Sequence, residues 1–222
     1  MTQKNLSSEL ILVDFHVHTN YSKDSLTPPG ALLQKLAKKV DRIVITDHNT
    51  IRGAVEAKKI NSEHVIVGEE IMTTKGEILA IFVQEEVPAG LPPHEVLQRL
   101  RDQNAFVSVS HPFDTFRHGS WELEDLIAIL PHIDAIEGFN SRVMTNRANR
   151  SAMEFAKEYK LMITAGSDAH TTFEVGKAGI LLPEFSDPNQ LRINIKEGTL
   201  VAKRSPWWVH LLSTLAKYQK RK

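Results

Sequence analysis

Short apolar runs alternate with amphipathic stretches along most of the chain. LILVDFHV is followed by PPGALLQKLAKKV and DRIVITDH by TIRGAVEAKKI, while AFVSVSHP, IDAIEGFN and LMITAGSDAH each stand behind a helix-like stretch. Such alternation, with turn residues between the units, restricts the chain to an α/β architecture on a mainly parallel sheet covered by helices. The rhythm breaks once, where EHVIVGEEIM and GEILAIFV are separated only by TTK, the spacing of a hairpin. KAGILL is a further strand-like run, ahead of the helix-like PNQLRINIKEG and a short TLVAKR. About seven or eight strands interleaved with helices fit a distorted barrel; a doubly wound open sheet is the alternative. The first helix is announced by Thr27 as N-cap, by Pro28 or Pro29 in its first turn, and by Leu32, Leu33, Leu36, Ala37 and Val40 on one face.

With 222 residues, 41% of them hydrophobic, and no Gly/Ser linker, the chain reads as a single domain over 1–222, with 205–222 an amphipathic helix docked on the body. Trp207 and Trp208 on that helix are expected in the core rather than at a dimer or membrane contact. Basic and acidic side chains balance at 27 each, so no global field draws the protein to nucleic acid or an anionic membrane. There is no cysteine, which excludes disulfides, thiolate metal sites and cysteine nucleophiles. MTQKNLSSEL lacks the apolar stretch of a signal peptide and nothing reaches the length of a membrane span, so a cytoplasmic protein is expected.

The unusual polar residues track strand ends. His16 and His18 end the first strand, Asp47 and His48 the second, Glu69 and Glu70 the third; His111, the pair Glu137 and Asn140, and the pair Asp168 and His170 follow later ones. In a parallel barrel all strand C-termini open on one face, so these groups can meet in one cup. Imidazole with carboxylate and no sulfur suits Zn, Mn or Fe, and residues two apart on a strand share a face and can chelate together. Bridged ions generate a nucleophilic hydroxide and clamp a phosphate, which makes hydrolysis of a phosphate ester the natural use. Arg117 and Arg142 lie in loops where a guanidinium could grip that phosphate. Asp47 is either a carboxylate that orients a ligand or a turn cap; His118 is a proton-donor candidate in an exposed loop. His64, His94, His132 and His210 are expected to be structural or exposed.

FHVHTNYSKDS, ITDHNT, GEE, SHPFD, IEGFNSR and AGSDAH, in that order, resemble the motif blocks of the PHP superfamily, named for polymerases and histidinol phosphatases. The resemblance implies a distorted (β/α)7 TIM-like barrel with up to three metal ions at the C-terminal ends of its strands. His16, His18 and Asp168 would hold the first ion; Glu70, favoured over Glu69, would bridge to a second bound by His111; Asp24, His48 and His170 would hold the third. Asp24 in YSKDS is alternatively a turn cap. Where the family often carries a further ligand histidine this chain has Glu77, a harder ligand that suits Mn or Mg. The implied cofactors are two or three divalent ions, Mn, Zn or Fe with Mg as a further candidate. The implied activity is that of a phosphoric monoester hydrolase on a small nucleotide-like, sugar or amino-alcohol phosphate, with Asp168, His170, Arg117 and Arg142 as catalytic groups. The alternatives are an exonuclease on short oligonucleotides and a degenerate PHP module that binds a partner without catalysis.

Overall fold

The computed structural model describes residues 9–36 and 39–221; the N-terminal stretch 1–8 and Ala37 of the expected helix face lie outside the described residues. The strands are β1 (Leu10–Val17), β2 (Arg42–Ile45), β3 (Val65–Met72), β4 (Glu77–Ile81), β5 (Phe106–Val109), β6 (Ala135–Asn140), β7 (Met162–Gly166), β8 (Ala178–Pro183) and β9 (Thr199–Ala202). The helices are α1 (Pro29–Leu36), α2 (Arg52–Ile60), α3 (Pro93–Asp102), α4 (Leu123–Ile129), α5 (Asn146–Tyr159), α6 (Pro188–Asn194) and α7 (Val209–Gln219). Every apolar run named above forms a strand. Thr27 has a different partner from the one expected: its hydroxyl donates to the His170 carbonyl at 3.0 Å.

All nine strands join one sheet in the order β7-β6-β5-β4-β3-β2-β1-β8-β9. The sheet curls into a nearly closed barrel because the end of β7 returns to β1. Val17 bridges Ala169 in parallel, and the His18 amide donates to the Ala169 carbonyl at 2.8 Å. Gly166 permits this approach, since a Cβ there would stand 2.2 Å from the His16 Cβ. On the other side of β1, β8 and β9 extend the sheet antiparallel.

The expected hairpin is present: β3 and β4 pair antiparallel, with Met72 opposite Glu77, and Thr73 closes the turn onto Gly76. This reversal amends the idea that only strand C-termini furnish the rim. Because β4 runs backwards, its first residue, Glu77, reaches the edge where the last residues of its neighbours lie.

Alternation along the strands explains why a polar rim sits above an apolar plug. The strand faces turned away from α1–α5 carry Val44, Ile66, Phe106 and Ala135, packed with Phe15 and closed below by Leu191 of α6. Two residues on, the same faces present Thr46, Gly68, Ser108 and Glu137. The opposite faces pack under the helices through Ile45, Leu36, Val96, Leu100 and Phe155.

The expected terminal helix forms as α7, but Trp207 and Trp208 are not core residues, with exposures of 70% and 39%. The inward face of α7 is made instead by Val209, Ser213 and Ala216, whose helical spacing turns the bulky residues outward. Among the described residues no helix is long and apolar enough to cross a membrane.

Candidate metal centre

Glu70, at the rim end of β3, is the hub of the site. Its Oε1 lies 3.1 Å from His111 Nε2 and 3.4 Å from His16 Nε2; its Oε2 lies 2.9 Å from His48 Nδ1 and 3.4 Å from His18 Nε2. Three ligand clusters surround it: His16 with His18 and Asp168, His18 with His48 and His170, and His48 with Glu70 and Glu77. Asp24 faces the second cluster, 3.5 Å from His48 Nε2 and 3.2 Å from His170 Nε2. Glu77 lies 3.5 Å from His111 Nε2 and 3.8 Å from His48 Nδ1, with Gly119 so close that a Cβ there would sit 2.0 Å from the Glu77 Oε2. The structure thus gathers all nine expected ligand residues. Glu69 points elsewhere: it accepts from the Val87 amide, and burial pushes its carboxyl up to about 8.

Neighbouring groups fix the orientation of the candidate ligands, as metal-binding imidazoles require. His16 Nδ1 lies 2.9 Å from Glu137 Oε1, and Glu137 Oε2 accepts from the His111 amide and from Asn140. His18 Nδ1 contacts Ser22 Oγ, which donates to Asp47; Asp47 also accepts from the Thr19 amide and hydroxyl. Asp47 therefore positions the His18 imidazole through Ser22 while holding the loop after β1. His170 Nδ1 is 2.8 Å from the Asp168 carbonyl oxygen. Asp168 and His111 sit at positive φ, 52° and 21°, a backbone cost of about 1 kcal/mol or more each that is tolerated where surrounding bonds over-determine the position.

Burial disfavours charge on His16 and His48, but the carboxylates outweigh it. Glu70, Glu137 and Asp168 hold His16 well above the ordinary imidazole range, and Glu70 with Asp24 does the same for His48. For His170, burial, Arg142 and His18 prevail over Asp24 and depress it to about 3. Glu70 and Asp168 fall well below the usual carboxylate range: burial opposes ionisation, but the imidazoles, and for Asp168 chiefly Arg117, favour it. Glu77 is raised, by burial and then by Glu70.

These residues fit divalent cations. Asp24 Oδ1, Glu70 Oε2 and Asp168 Oδ1 are buried without a hydrogen bond among the described residues, each within 3.3 Å of an imidazole nitrogen. His16 Nε2 and His18 Nε2 converge to 3.0 Å, as lone pairs aimed at one ion would. Nitrogen and oxygen donors without sulfur are the set expected for Zn, Mn or Fe.

The cluster opens on a cavity of about 310 Å³ lined by Asp24, Glu77, Arg117, His118, His210 and Lys217 among others. Arg117 faces it with one nitrogen on Asp168 Oδ2 at 2.6 Å and another 3.1 Å from Asp114. Arg142 is only 3% exposed; its guanidinium donates to Ser213 Oγ and the Val209 carbonyl of α7 and lies 3.3 Å from Glu174. Reasoning from sequence missed the contribution of α7. His210 and Lys217 reach the cavity, and Lys217 Nζ stands 3.4 Å from Asp24. Asp114 and Glu174 were missed as well, although Asp114 closes the SHPFD block and Glu174 follows AGSDAH by four residues. His64, His94 and His132 are remote from the cavity, as expected.

A family model described as PHP-associated matches residues 146–200. Uncharacterized protein MJ0417 of Methanocaldococcus jannaschii is 38% identical over 177 residues, 78% of this chain and 71% of that protein. A two-domain protein of Bacteroides vulgatus, described as containing a predicted PHP-like metal-dependent phosphoesterase, superposes with a TM-score of 0.70 at 17% identity, over 88% of this chain and 65% of its own. A lesion-specific endonuclease of Pyrococcus furiosus superposes with a TM-score of 0.60 at 16% identity, over 85% of this chain and 56% of its own. The chain spans less than two thirds of either structure's length, and at these identities the likeness is one of fold.

Proposed function

This chain belongs to the PHP superfamily, and from that premise we propose that it is a metal-dependent phosphoesterase hydrolysing a small phosphate monoester. The observation that carries the reading is the meeting of three ligand clusters at Glu70, on the floor of a cavity whose wall holds the Arg117 guanidinium. His16, His18 and Asp168 would hold one ion, Glu70, His111 and Glu77 a second, and Asp24, His48 and His170 a third; Mn, Zn, Fe and Mg are the candidates. Bound divalent ions supply Lewis-acid polarisation of the phosphoryl oxygens and lower the pKa of an attacking water.

The protein's own groups do the remainder. Arg117, anchored on Asp168 and Asp114, presents fixed positive charge where charge builds on the phosphoryl oxygens. His118, exposed at the mouth, is placed to give a proton to the leaving oxygen. Arg142 acts by seating α7, which brings His210 and Lys217 to the cavity. Cleavage of short oligonucleotides is a second reading, favoured by a further cavity of about 480 Å³ that also borders Phe116. The complete ligand set favours turnover over a module that only binds.

The test is metal analysis of the purified protein joined to a screen of phosphate monoesters and short oligonucleotides with added Mn or Zn. Metal-dependent monoester turnover is expected, with weak dependence on salt; steep salt dependence would favour the oligonucleotide reading. His16→Ala and Asp168→Ala should abolish turnover while circular dichroism shows the fold retained. Normal turnover in either variant overturns the assignment.

A further inference from the structure

We propose that Phe116 is the specificity-determining residue of this site, forming the stacking wall for a flat, nucleobase-like ring carried by the leaving group of the substrate. The inference rests on the phosphoesterase reading for its ester and on the following geometry for its ring.

Phe116 is 72% exposed, and among the described residues no other aromatic ring lies against it. Its neighbour Phe113 behaves differently, packing edge-on to Phe155 at 5.5 Å. What sets Phe116 apart from the other exposed apolar side chains is its place at the mouth of the metal-side cavity. Phe116 borders two cavities at once, the metal-side one of about 310 Å³ and the neighbouring one of about 480 Å³, each of ligand scale.

The loop that carries Phe116 is also tied to the site. The Asp114 amide donates to the His111 carbonyl at 3.0 Å, and the Phe116 amide lies 3.4 Å from Asp114 Oδ1. Arg117, the next residue, bonds Asp114 on one side and Asp168 on the other. The loop carrying Phe116 is therefore anchored to two residues of the candidate ligand set, which fixes its backbone beside the clusters. A phosphate at the clusters leaves the ester's distal part to pass Phe116 into the larger cavity. There Thr145, Arg147 and Ser151 offer hydrogen-bonding groups to the edges of a heterocycle. Thr145 makes no capping hydrogen bond with its side chain, so α5 does not occupy that hydroxyl. An aromatic wall with polar groups at its margin is how proteins hold nucleobases.

The experiment compares adenosine monophosphate with glycerol phosphate, which lacks a ring, and follows binding of adenosine alone by NMR shifts of its ring protons. Wild type should prefer adenosine monophosphate in kcat/KM. Phe116→Ala should reduce that preference about tenfold, chiefly through KM, and abolish the adenosine shifts, while Phe116→Tyr should restore both. An unchanged preference in F116A, or adenosine shifts that survive it, overturns the ring site even if both esters are hydrolysed. Phe116-dependent adenosine shifts in a protein that hydrolyses neither ester would uphold the ring site and defeat the phosphoesterase reading instead.

Discussion

Arg117 donates at 2.6 Å to Asp168 Oδ2, while Asp168 Oδ1 stands 3.3 Å from His18 Nε2, so one carboxylate is shared between a fixed cation and the ligand cluster. Removing the guanidinium leaves Asn140 as the donor to Asp168 Oδ2 and deletes charge from the cavity wall. Arg117→Ala should lower kcat by about 100-fold, the usual loss for one preorganised donor, with the bound metal retained. Arg117→Lys should recover only part of it, because an ammonium cannot serve Asp114 and Asp168 together. Steady-state kinetics beside metal analysis decides; loss of metal in either variant would mean that the arginine works through Asp168 alone.

Glu77 tests the departure from the family pattern. Glu77→His replaces an oxygen donor by nitrogen beside His48 and His111, so Zn should be retained over Mn more strongly than in wild type. Competitive dialysis with elemental analysis reads this directly. Unchanged retention would place Glu77 outside the ion-binding set.

Proton competition follows from the raised imidazoles. His16 and His48 start from an ordinary value of 6.5; burial lowers them, but carboxylates raise them well above it. Both must be neutral to bind an ion, so the native state holds protons that an ion displaces. Apparent affinity should climb with pH and keep climbing above 6.5, with protons released at pH 7. His170, depressed to about 3, is already neutral there and adds none. Calorimetric titration in two buffers of different ionisation heat measures the release; none at pH 7 would contradict these environments.

Arg142 and Glu174 form a buried pair at 3.3 Å that ties α7 to the loop after β7. Arg142→Met leaves Glu174 Oε1 buried without its cation, while Oε2 still accepts from His170 and Thr171, and should cost on the order of 3 kcal/mol, seen as a lower Tm. Ser213→Ala, which removes one hydrogen bond, should cost about 1 kcal/mol. Adding Glu174→Gln to the first variant should recover much of its loss; no recovery would place the damage in packing.

Local signals were legible. Apolar runs bounded by turn residues marked every strand, TTK marked the hairpin, and ligands at strand ends marked the cup, because each depends on neighbours in sequence. What sequence hid depends on distant contacts. Trp207 and Trp208 read as core by composition, yet the small residues of α7 take the inward face. His210 and Lys217 gave no sign of the cavity, since only the seat made by Arg142 brings them there. Glu77 could be flagged as a departure, but its reach to the rim requires knowing that β4 runs backwards.

The barrel closes through the short bridge where Val17 meets Ala169, and His16, His18 and Asp168 straddle that seam. In a chain without cysteine, an ion gripped by these three would serve as a removable cross-link between the first strand and the seventh. It would shrink the conformational freedom of the unfolded chain much as a disulfide closing a long loop does. Chelation would then loosen the seam before the rest of the sheet, and amide exchange at His18 and Ala169 would quicken first.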